Sequence, residues 1–174
     1  MTNNEAMYTK VMEKLNFEPS LDTTNITVSI QGDDDIIILG GTVESFYEKL
    51  VAERAVKSLM NVRAIANEIT VDLSIPHHQT DAEIAKEVTN AIKNNTIAAQ
   101  KNIQAIIKNG VVTLTGDVDW YYQKSAAFNA INNLFGIKSI INNIEVKPII
   151  IIDSSKVKSQ ITKEFERHAR IDAD

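Results

Sequence analysis

The chain repeats itself, and no other feature narrows its fold as far. Gly41 and Gly116 stand 75 positions apart, and Leu39-Gly40-Gly41-Thr42-Val43 lies over Leu114-Thr115-Gly116-Asp117-Val118. The same offset pairs Tyr47 with Tyr122, Ala52 with Ala127, Ala55 with Ala130, Leu59 with Leu134, Asn67 with Asn142 and Ile69 with Ile144. Upstream the offset is 77, pairing Val11 with Val88, Leu15 with Ile92 and Ile26 with Ile103. The slip of two residues falls where Gln31-Gly32-Asp33-Asp34-Asp35 replaces the shorter Lys108-Asn109-Gly110. Insertions belong in turns, so the slip supports the alignment. Val157, Ile161 and Phe165 overlie Ile84, Val88 and Ile92 at offset 73 and begin a third copy. Self-similarity at a fixed period means one supersecondary unit used more than once. The expected division is 1–75 for the first unit, 79–148 for the second, and 153–174 for the first helix of an incomplete third unit.

Each unit reads helix, strand, strand, helix, strand. In the second, Thr80-Asp81-Ala82-Glu83 is a capping box, followed by Ile84, Val88, Ala91 and Ile92 on one helical face. Strands are expected at Asn102 to Ile107 and Val111 to Thr115, joined by a short hairpin turn at Lys108-Asn109-Gly110. A second helix, Trp120 to Phe135, buries Tyr122, Ala126, Ala127, Ala130, Ile131 and Leu134, and Gly136 ends it in a left-handed conformation. The last strand, Ile137 to Val146, returns to the same sheet. The fold class is therefore α+β. It consists of tandem αββαβ units, each a three-stranded sheet with two helices on one face, plus a C-terminal helix. Ile36-Ile37-Ile38-Leu39 is apolar on both faces. Such strands are buried on both, so the outer face of the first unit should meet the second unit, the C-terminal helix or a second chain.

Several functional classes are disfavoured. Cysteine is absent, which removes disulfides, thiolate metal sites and cysteine nucleophiles. A net charge of −5 gives no general attraction for nucleic acid. The longest apolar run, Ile149 to Ile152, is too short to span a bilayer. The polar N-terminus lacks the features of a secretory signal, so a soluble, cytoplasmic chain is expected. Nucleophile-elbow, phosphate-loop and dinucleotide motifs are missing, and no enzyme activity or cofactor is expected. His77-His78 in the linker, Asp33-Asp34-Asp35 in a hairpin and His168 near the end lack metal-ligand spacing. They read as solvated side chains, with no metal.

Gly41-Thr42-Val43, the helix carrying Ala52-Glu53-Arg54-Ala55, and Asn67-Glu68-Ile69-Thr70-Val71 together resemble the BON domain of bacterial osmotic-response and nodulation proteins. The second copy is closer still, from Gly116-Asp117-Val118-Asp119-Trp120-Tyr121-Tyr122 through Gly136-Ile137 to Asn142-Asn143-Ile144-Glu145-Val146-Lys147-Pro148. It looks like the middle unit of proteins with three tandem BON domains, with the third unit here cut after its first helix. The resemblance implies an αββαβ fold and a role in phospholipid binding or envelope protection under osmotic stress. It also implies export to the periplasm for most relatives, the alternative to a cytoplasmic location if the N-terminus is incomplete.

Residues 1–75 carry 12 acidic and 6 basic side chains, residues 76–147 carry 6 and 7, and residues 148–174 carry 5 and 5. Anionic lipid would repel the first unit but not the second. Phospholipid head groups are thus expected to meet Trp120, Tyr121, Lys124 and Lys93, because Trp and Tyr suit a membrane interface. The competing reading puts Tyr122 in the core, as its counterpart Tyr47 would be, and Trp120 over a repeat boundary. A second functional reading is a protein–protein or self-association module, drawn from Ile36 to Leu39, Ile149 to Ile152 and the extra helix. Gly41, Gly116 and Gly136 are assigned structural roles.

Overall fold

A computed structural model of the chain describes residues 3–32, 36–60, 62–73, 79–99 and 102–147. The first unit runs α1 (Asn3–Asn16), β1 (Ile26–Gln31), β2 (Ile36–Val43), α2 (Phe46–Lys57), β3 (Ala64–Asn67) and β4 (Thr70–Val71). The second runs α3 (Asp81–Asn94), β5 (Gln104–Lys108), β6 (Val111–Val118), α4 (Tyr121–Ile131) and β7 (Ser139–Val146). The protein is α+β, with two mixed sheets. In each, the second strand is central, antiparallel to the first and parallel to the last.

The hairpins explain the slip in the repeat. Lys108 pairs with Val111 across Asn109-Gly110, both with positive φ (51° and 78°), as a two-residue type I′ turn requires. In the first unit Gln31 pairs with Ile36, leaving a turn two residues longer. The backbone N–H groups of Asn109 and Gly110 donate to the Asp81 carboxylate at 2.8 and 2.9 Å. The second unit's hairpin is thus tied to the first residue of α3.

Alternation along the strands sends one set of side chains inward. Ile37 and Leu39 on β2, and Val112 and Leu114 on β6, are fully buried. They lie with Val11, Leu15, Ala52 and Val56 in the first unit and with Ile84, Val88, Ala127 and Ile131 in the second. Helix α1 packs on β1 and α2, and α3 packs on β5 and α4, so both helices of a unit share one sheet face. The opposite rows are open. Ile36 is exposed and Ile38 half-buried, and on the second sheet Ile106 and Ile141 flank Thr113 at the surface. The two units instead touch through Phe46 at the start of α2 and Phe128 on α4, edge to face with centroids 6.4 Å apart. The expected cover for the outer face of β2 is therefore not found among the described residues. The C-terminal helix expected at residues 153–174 lies outside the described residues, as do His77, His78, Asp33 to Asp35 and His168.

Two local expectations are corrected. Helix α4 stops at Ile131, with Asn132 as a right-handed C-cap, so Gly136 does not end it. Gly136 has φ of +78°, and a Cβ there would come within 3.0 Å of Ile84 Cδ1. Its role is to let the β7 approach pass close to α3. The third strand of the first unit is split into β3 and β4, whereas β7 is continuous. The interruption lies opposite Gly40-Gly41, where the second unit has Thr115-Gly116.

Gly41 and Gly116 sit inside the central strands with φ of +97° and +132°, and a Cβ on either would collide with the carbonyl of Asn25 or Asn102. Gly116→Val should therefore cost at least about 1–3 kcal/mol. Gly40→Ala should cost clearly less, because it meets only the Thr27 hydroxyl. Thermal unfolding of both variants checks the order. A second expectation concerns acid. The Thr80 backbone N–H, and then its hydroxyl, hold the Glu83 carboxyl below its ordinary value of 4.5. The cap's contribution is complete above that value and is lost as pH falls through the depressed pKa. Glu83→Gln should flatten the acid limb of a plot of melting temperature against pH, leaving the limb above pH 4.5 unsloped by this group.

Candidate functional site

The site is the end of the second unit where β6 passes into α4. Strand β6 stops at Val118, whose carbonyl accepts from the Lys147 N–H at 2.7 Å. The buried Gln123 side chain then turns back, and its Oε1 accepts from the N–H groups of Asp119 and Trp120, both at 3.0 Å. These two bonds hold the first turn of the helix. The first unit does this with Ser45, whose Oγ accepts from the Glu48 N–H at 3.2 Å and donates to the Glu48 carboxylate at 2.7 Å.

With the helix start held from below, the aromatic residues face outward. Trp120 is 58% exposed, Tyr121 72% and Tyr122 56%. The expectation that Tyr122 packs in the core is therefore corrected. Its counterpart Tyr47 is half-buried, with the Arg54 guanidinium 5.6 Å from its ring centroid. The second unit has Asn129 at the position of Arg54, so Tyr122 has no such lid. Tyr121 differs from its counterpart more sharply, since Phe46 is only 7% exposed beneath Phe128.

Lys93 is exposed near the end of α3, at the end of the sheet where β5 begins and α4 starts. Lys124 does not join it. Its Nζ donates to the Ile144 carbonyl at 2.8 Å, while Asn142 Nδ2 donates to the Lys124 carbonyl at 3.3 Å and Asn142 Oδ1 accepts from the Ile144 N–H at 3.3 Å. The reason is geometric: one turn into α4, the lysine lies over β7 and not over the helix end. The first unit repeats the clamp, with Lys49 Nζ on the Ile69 carbonyl at 2.7 Å and Asn67 bridging in the same way. Lys124 is thus a fastener between helix and sheet. The recurrence of Lys and Asn at offset 75 was the signal in the sequence that could have found it. Gln123, which shapes the site most directly, gave no comparable signal. Lys147 at the same end bridges Asp117 (2.8 Å) and Glu145 (3.1 Å), and those carboxylates push its pKa up.

Among the described residues no group of three or more His, Asp or Glu is placed to hold a metal ion, and no helix is long and apolar enough to cross a membrane. The arrangement offers amphipathic rings on a firm base, with the exposed ammonium of Lys93 and the carboxylate-paired ammonium of Lys147 at the same end. Replacing the fastener should test its assignment. Lys124→Met should lower stability by about 1.5–3 kcal/mol, the range for a hydrogen bond involving a charged group. Thermal unfolding in low and high salt checks this, since the loss should change little with ionic strength.

The sequence model of the BON domain matches residues 3–72 and 80–148. The chain is also similar to osmotically-inducible protein Y of Escherichia coli (strain K12), 24% identical over 149 residues, covering 83% of this chain and 73% of that protein. Among solved structures it is similar to the C-terminal domain of CdsD, the structural protein of the type III secretion system of Chlamydia trachomatis. That match has a TM-score of 0.34 at 12% identity, over 80% of this chain and 96% of that one. A second CdsD structure gives 0.36 at 9% identity, over 89% and 97%.

Proposed function

Because this chain belongs to the BON domain family, we propose that it is a non-catalytic binding protein of the osmotic-stress response that touches phospholipid surfaces through the aromatic end of its second unit. The carrying observation is the joint exposure of Trp120, Tyr121 and Tyr122 on one helix start. Each ring pairs an apolar body with a polar edge, the combination that settles at the boundary between head groups and acyl chains. The similarity to an osmotically-inducible protein supports the physiological setting. The charge division supports the choice of unit, since 12 acidic against 6 basic groups in residues 1–75 oppose an anionic surface and 6 against 7 in residues 76–147 do not.

Binding of this kind is weak. Each basic group near an anionic surface contributes about 1 kcal/mol, and with Lys124 committed to Ile144, Lys93 is the cation this proposal retains. Contact then rests mainly on the rings and is reversible. A second reading, a protein-interaction module, is favoured by one observation: the open row Ile106, Thr113 and Ile141 on the outer sheet face.

Flotation with vesicles separates the two. The full chain should float with vesicles containing anionic phospholipid, less with purely zwitterionic ones, and should be released by salt. Trp120→Ala with Tyr121→Ala should abolish flotation and Lys93→Gln weaken it, while Ile106→Thr leaves it unchanged. A chain that stays with the soluble fraction at low salt would overturn the lipid reading and leave the interaction module.

A further inference from the structure

We propose that the cleft between α1 and α2 of the first unit binds a small zwitterion, an α-amino acid with an uncharged side chain. The two helices pack against each other and leave a cavity of about 310 Å³, with Lys14, Glu18, Tyr47, Val51, Arg54 and Ser58 in its lining. Tyr47, Val51 and Arg54 fall at helical spacing on one face of α2, and Ser58 is its C-cap. Lys14, in the last turn of α1, and Glu18, just beyond it, form the other wall. The volume is at the small end of the range for ligand sites, roughly 300–1,000 Å³. The inference concerns the first unit and does not rest on the lipid reading of the second.

The repeat shows that the fold does not require the charges of this cleft. At the positions of Lys14 and Glu18, 77 residues on, the second unit has Ala91 and Asn95. At those of Arg54 and Ser58, 75 residues on, it has Asn129 and Asn133. Each charged side chain of the cleft is thus replaced by a neutral one, yet α3 packs on α4 as α1 packs on α2. The charges are also concentrated. The first unit holds 12 acidic and 6 basic side chains, and two of those six line this one cleft. A third, Lys49, is the fastener on the Ile69 carbonyl.

The chemistry of the lining selects the ligand. Arg54 is held in place, with its Nε donating to the Leu50 carbonyl at 3.4 Å and its guanidinium 5.6 Å from the Tyr47 ring centroid. Its terminal nitrogens, the Lys14 ammonium and the Glu18 carboxylate have no partner among the described residues. A planar guanidinium beside an ammonium suits a carboxylate. A bare anion would also meet Glu18 and the C-terminal ends of α1 and α2, where the helix dipoles are negative. A ligand that carries an ammonium next to its carboxylate turns both repulsions into attractions. Val51 and Ala55, both buried in the same lining, give an uncharged side chain an apolar floor.

Titration of the full chain with L-leucine, followed by NMR, tests this. The backbone amides of Lys14, Glu18, Arg54 and Ser58 should shift saturably. Isocaproate, which is leucine without its ammonium, and isopentylamine, which is leucine without its carboxylate, should each bind at least about tenfold more weakly, the effect of one charge-assisted contact. Lys14→Ala combined with Glu18→Asn and Arg54→Asn installs the residue types that the second unit folds with. That variant should keep the parent's melting temperature and lose the shifts. Glu18→Gln alone should remove the preference for leucine over isocaproate. Lack of saturable shifts in the parent at tens of millimolar leucine would overturn the inference, as would equal affinity for leucine and isocaproate or unchanged binding in the triple variant. Tighter binding of phosphoethanolamine than of leucine would also overturn it, by assigning the cleft to a phospholipid head group.

Discussion

Close contact between a carbonyl and a glycine sets the geometry of each unit. The Asn25 carbonyl lies where a Cβ of Gly41 would be and also accepts the Thr42 N–H at 3.1 Å. Asn102 stands in the same relation to Gly116. A side chain at either glycine would push the entry of the first strand away from the central strand. With hydrogen there, the two stay paired to the point where the central strand turns into its helix. The direction of that turn decides which residues of the helix start face the core and which face water. Ser45 with Glu48 in one unit, and Gln123 in the other, then hold the start in place.

Packing within a unit follows from alternation. Inward residues of the central strand meet both helices, and the helix that follows is fastened to the last strand by a lysine on a strand carbonyl and an asparagine bridging back. A cation on a main-chain carbonyl spends no apolar surface, so the clamp fixes the helix without enlarging the core. Its presence in both units explains why Lys124, beside the aromatic cluster in sequence, takes no part in it in space. Between the units, Phe46 lies edge to face against Phe128.

The candidate site was partly legible. Trp120-Tyr121 stood out as an aromatic pair at a strand-to-helix junction, and both side chains are exposed there. Tyr122 was misread because the repeat equates it with Tyr47, whose ring lies beside the Arg54 guanidinium, while the second unit has Asn129 at that position. Lys124 was misread because its partner is a backbone carbonyl twenty residues away, on a strand that reaches it only after the sheet has formed. Gly136 was read as a helix end because spacing alone does not show how far a helix runs. The chain has already left the helix at Asn132, and the glycine is required by Ile84 of α3.

What the sequence by itself determined is the unit. Apolar spacing, the capping box at Thr80, the turn at Asn109-Gly110 and the paired glycines are local or follow from the period. They specify αββαβ twice, down to the two-residue difference between hairpins. Tertiary structure decided which polar groups became fasteners, which aromatic rings were covered, and which sheet face stayed open. Those outcomes depend on distances between segments far apart in the chain. Two copies of one pattern can settle them differently, because Phe46 has a following unit's Phe128 against it, whereas none of the described residues covers Tyr121 in this way.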